Sequence, residues 1–229
     1  MFERYAAQVD EWRDIHSGVD FINSRKQGEA EARALLDAAF GPGGSGSMSA
    51  DDYRAMCMAV NRECIEGSVP KRITCTRFGA GLASLLRLAP RLDELGPWLS
   101  GLWGQWALPF AGGADAVLAD AFRLHEARRV AGAGIFALSL LLYLKSGADM
   151  GTDNETDDAD FFLPCTPALW RGLAFLKGQA VRDGSGPRTQ ADYRHFLHDA
   201  HALRERFCLL PLEVDFALAR AERMRVAGR

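Results

Sequence analysis

The stretch 189–207 gathers the side chains best suited to chemistry: Asp192, His195, His198, Asp199 and His201. Carboxylates and imidazoles three and four residues apart on a helix can share a transition metal when they face the inside of a bundle. A helical wheel at about 100° per residue decides the facing. Tyr193, Phe196, Leu197, Ala200, Leu203 and Phe207 fall within roughly 60° of Ala200 and form one apolar stripe. His195 and His198 lie about 140° and 160° away from it, and His201 about 100° away. The histidines therefore point to water or to a partner. His195, His198 and Asp199 stay as surface metal candidates, and no cofactor is expected.

A second charged feature is the acidic stretch 149–160, with six carboxylates in twelve positions. A calcium loop needs alternating oxygen ligands, a central glycine and a distal glutamate. Gly151 is misplaced for that, and no glutamate stands at the twelfth position. The stretch reads instead as a solvated connector or as an acidic patch that docks a basic partner through Asp153, Glu155, Asp157, Asp158 and Asp160. Phe161, Phe162 and Leu163 follow at once and are expected to pin the chain back onto a core.

Trp98, Trp103 and Trp106 lie close together between Pro97 and Phe110. They suit the filling of a core, the lining of a ligand pocket, or an exposed binding hot spot. The motifs of phosphate loops, nucleophile elbows and Cys-x-x-Cys zinc or redox sites are missing. The five cysteines show no framework spacing, and the first twelve residues lack the basic and apolar regions of a signal peptide. Free thiols in a reducing cytoplasm are the expectation. A net charge of −3 argues against nucleic acid. Only four of the 27 basic residues are lysine, and glycine and alanine abound, the composition of a GC-rich bacterial coding sequence.

The elements that must position these groups read as helices. Residues 130–144 are apolar, bounded by Arg128, Arg129 and Lys145. As a helix they would be about 22 Å long, short of the roughly 30 Å of a bilayer core. An all-round apolar helix of that length predicts the centre of a globular fold and no membrane span. Its small residues 131–134 are expected to let neighbouring backbones come close. Apolar spacings of three and four predict further helices over 2–22, 29–40, 49–66, 74–88, 114–128, 189–207 and 211–225. Thr166 and Pro167 start another as N-cap and first helical residue. The stretch 97–110 reads as broken by glycine, and 69–76 is the one short strand candidate. The expected fold is all-α, a single domain over 1–229 of eight to ten helices, with a flexible loop at 41–48 and the acidic loop at 149–160.

No catalytic motif, an acidic loop and broad polar helix faces together fit a cytoplasmic protein-binding domain. An immunity protein that neutralises a cognate bacterial toxin has this profile, because it needs a complementary surface and no chemistry. Two alternatives stand beside it: an all-α enzyme or small-ligand protein with a pocket near the tryptophans, and a homo-oligomeric scaffold.

Overall fold

The computed structural model describes residues 19–60, 63–66, 71–74, 80–104, 113–127, 130–146, 162–183, 185–209 and 211–228, and structural statements concern these. Nine α-helices lie among them: α1 Val19–Phe40, α2 Ala50–Val60, α3 Ala80–Leu86, α4 Leu92–Gly104, α5 Gly113–Ala127, α6 Ile135–Ser146, α7 Pro167–Leu176, α8 Gln190–Phe207 and α9 Pro211–Val226. The architecture is all-α, as the periodicity predicts, with one small exception. Glu63–Glu66 (β1) and Lys71–Thr74 (β2) pair as an antiparallel hairpin, with Glu66 opposite Lys71.

That hairpin corrects the helix expected over 49–66, which ends at Val60. The second strand falls within the one candidate the sequence offered. Ile65 in the first strand and Ile73 and Thr74 in the second are β-branched residues suited to such a hairpin. The helices expected over 2–22 and 29–40 are corrected too. A single helix, α1, runs through Gly28, while residues 1–18 lie outside the described ones. Its inward residues are Arg25, Glu29, Ala32, Leu36 and Ala39, a regular helical stripe whose first two members are charged.

The glycine-rich stretch after α1 is folded back onto the helix end. Gly41 donates to the Asp37 carbonyl, Ser45 to Ala38 and Gly46 to Ala39. Gly43 and Gly46 take φ of +80° and +74°, conformations that favour glycine. Of the stretch 97–110 expected to be broken near the tryptophans, residues 97–104 continue one helix, α4, with Pro97 inside it, and 105–110 lie outside the described residues. Leu95, Trp98, Leu99, Leu102 and Trp103 form its buried face at helical spacing.

The centre of the core is α6. All ten residues from Ile135 to Leu144 are buried, as an all-round apolar helix requires. It is shorter than the apolar run that announces it. Residues 130–134 form a turn ahead of α6 in which Gly132 has φ +94°, so they are not part of that helix. Close backbone approach occurs elsewhere. A β-carbon on Gly172 of α7 would stand 2.0 Å from the Leu218 carbonyl oxygen of α9. Two helices in the last third of the chain begin at side-chain caps. The Thr166 hydroxyl accepts from Leu169 N at 3.1 Å ahead of Pro167, and Thr189 with Asp192 makes a full capping box on α8. No helix among the described residues is long and apolar enough to cross a membrane.

Candidate functional site

Three places hold the polar groups that sequence and structure single out. The first is a cleft of about 380 Å³ between α7 and α8. Its walls are Trp170, Leu173, Ala174 and Lys177 on one side and Asp192, His195, Phe196, His198 and Asp199 on the other. The wheel argument holds here. Tyr193, Phe196, Leu197, Ala200 and Leu203 are buried, whereas His195 and His198 are exposed on the rim. Both carboxylates already have work. Asp199 is ion-paired with Lys177 Nζ. Asp192 accepts from the backbone N–H of Arg188 at 2.8 Å and of Thr189 at 2.9 Å, which holds its carboxyl below the usual range despite partial burial. The structure brings His195, His198 and Asp199 to one cleft, but it assembles no three-donor metal group from His, Cys, Asp or Glu among the described residues.

The second place was not foreseen. Arg25 of α1 donates through Nε to Glu29 Oε1 at 2.8 Å and through Nη1 to Asp215 Oδ1 of α9 at 2.6 Å. The Tyr143 hydroxyl of α6 donates to the same Glu29 oxygen at 2.7 Å. Arg33, at the edge, stands 3.6 Å from the other one. Arg25 and Asp215 are each 2% exposed. Burial pushes the Asp215 carboxyl up, opposed by the Arg25 charge. Burial, then the Glu29 charge, raises the Tyr143 hydroxyl, so it stays a donor. The i,i+4 spacing of Arg25 and Glu29 was the one visible signal. Asp215 lies 190 positions from Arg25, and nothing local couples them. None of the four residues lines either surface cleft. The cluster ties three helices together, and its position suits a clamp.

The third place is a cleft of about 520 Å³ between the glycine-rich stretch and the outer face of α4. It is not the tryptophan pocket that the sequence allowed. Trp98 and Trp103 are each 1% exposed, on the opposite face of the helix, and are core residues. Trp103 Nε1 donates to Asp37 at 2.8 Å and carries Lys145 Nζ 4.8 Å above its ring. Trp98 meets His125 edge-on at 5.9 Å. Trp106 lies outside the described residues.

Asp153, Glu155, Asp157, Asp158 and Asp160 also lie outside the described residues. The chain on either side of their stretch is buried. Tyr143 and Leu144 precede it, and Phe162, Leu163 and Cys165 follow it, each at most 2% exposed. The Tyr193 hydroxyl donates to the Leu163 carbonyl at 2.9 Å, and Cys165 N donates to Ser139 Oγ at 2.9 Å. The expected pinning is met at Phe162 and Leu163, while Phe161 lies outside the described residues.

Comparison with known protein families, with curated proteins and with solved structures finds no match to this chain. The functional reading therefore rests on its own residues.

Proposed function

We propose that this is a binding protein that engages a basic protein partner through Asp153, Glu155, Asp157, Asp158 and Asp160. The observation that carries this reading is the anchoring of both ends of the acidic stretch in the core, by Tyr143 and Leu144 before it and by Phe162 to Thr166 after it. Six carboxylates within twelve positions of sequence, between two buried flanks, would present concentrated negative charge to a partner. Such a surface speeds encounter with a positively charged partner and selects against acidic ones. In its most specific form, the reading is of a cytoplasmic bacterial immunity protein that neutralises a toxin. Co-expression with the product of the neighbouring gene tests that form. Restored growth supports it, and toxicity unchanged by this protein removes it.

A further inference from the structure

We infer that the cleft between the glycine-rich stretch and α4 is a socket for a basic side chain, arginine above all, presented by the partner protein. The inference rests on the reading of a basic partner and adds where that partner inserts.

The chemistry of the walls selects the occupant. Among the described lining residues the one charged group is the Asp93 carboxylate, and it joins no ion pair with another described residue. Its neighbour Glu94 is taken by Arg91, whose Nη1 also reaches the Ala131 carbonyl at 2.6 Å. Pro97 has no N–H, so the carbonyl of Asp93, four residues earlier, loses its helical donor. Ser47 and Ser100 add hydroxyls. The remaining walls are Phe40, Met48, Leu92 and the Pro97 ring, apolar surface suited to the methylene stem of a long cationic side chain.

An anion does not fit the same place. A glycine-rich loop binds phosphate through free backbone N–H groups. Here those of Gly44, Ser45 and Gly46 are bonded to the carbonyls of Gly41, Ala38 and Ala39. Ser47 N turns to Ser45 Oγ at 3.4 Å. A planar guanidinium, with five donors in a fork, matches a carboxylate beside a carbonyl better than an ammonium does. The cleft is open above Gly96, where an added β-carbon would meet nothing within 4 Å.

The test is a titration of the full chain followed by amide chemical shifts. The probes are N-acetylarginine methylamide, its neutral isostere N-acetylcitrulline methylamide, and putrescine. The arginine probe should shift the amides of Gly46, Met48, Gly96 and Ser100 and bind about threefold to fivefold more tightly than citrulline, the effect of one exposed ion pair. Asp93→Asn should erase that preference. Gly96→Leu, which improves helix propensity and fills the opening, should abolish binding with the fold intact. Equal binding of citrulline and arginine, or shifts elsewhere, overturns the socket. Putrescine binding more tightly than the arginine probe overturns the side-chain occupant in favour of a free amine. These outcomes are independent of the acidic stretch. A bound probe with partner capture insensitive to Asp153–Asp158 neutralisation refutes that stretch and leaves the socket. Lost capture with no probe bound does the reverse.

Discussion

Asp215→Ala removes one carboxylate from a site that water does not reach. Arg25 loses its Asp215 partner, inside a core where it and Glu29 are at most 2% exposed. Breaking a buried pair from one side costs about 3–5 kcal/mol, because the remaining charge keeps its desolvation penalty without its partner. In a chain of this length each kcal/mol moves Tm by about 2–4 °C. The expected fall is therefore about 6–20 °C, with a matching drop in the urea midpoint. The joint replacement Arg25→Met, Glu29→Leu, Asp215→Leu should behave differently. It removes the charges together and fills their volume with apolar side chains, and such exchanges are often neutral or stabilising. Arg33, 27% exposed at its side chain, can turn to water when Glu29 is gone. Calorimetry and urea unfolding of the wild type and both variants make the assay. A single substitution costing under about 1 kcal/mol, or a triple variant as unstable as the single one, would refute the clamp.

Three other substitutions test the packing and the caps. Gly172→Ala drives a β-carbon to 2.0 Å from the Leu218 carbonyl oxygen and should lower stability by at least about 1–3 kcal/mol. Gly134→Ala meets nothing within 4 Å and should leave Tm unchanged or slightly raised; similar losses at both sites would contradict the α7–α9 contact. The Asp192 carboxyl is held below its ordinary range by the backbone N–H of Arg188 first and of Thr189 next. Its contribution is complete above the unfolded-state value and is lost as pH falls through the lower folded one. Asp192→Asn should therefore flatten the acid limb of a Tm–pH profile, and an unchanged limb would count against this assignment.

What was legible in the chain followed local rules. On α8, the wheel placed Tyr193, Phe196, Leu197, Ala200 and Leu203 inside and His195 and His198 outside, and the Thr166–Pro167 start marked a real helix end. Hydropathy found α6 but overran it by five residues. It cannot register that Gly132 turns to φ +94°. Glycines among the tryptophans argued for a break, yet the buried face from Leu95 to Trp103 carries α4 through Gly96, Pro97 and Gly101. The beginning of α1 was misread because its inward residues are Arg25 and Glu29, charges that a polarity pattern assigns to the surface. Their partner Asp215 comes from the far end of the chain, and only tertiary structure brings it there. The α4 cleft was hidden for a similar reason. It needs Phe40 and Met48 beside Leu92 and Pro97, residues that α1, the glycine-rich stretch and α4 bring together.

Capture of a partner by the wild type and by Asp153→Asn/Glu155→Gln/Asp157→Asn/Asp158→Asn addresses the central claim most directly. Both baits, shown by calorimetry to share one Tm, are exposed to lysate of the source cell, and captured proteins are identified and quantified by mass spectrometry. The dissociation constant of the main captured protein is then measured at low and high salt. A basic protein bound by the wild type, weakened by salt and bound at least about tenfold more weakly by the neutralised variant is the predicted result. Equal affinity for both baits, or a captured partner indifferent to salt, would contradict it.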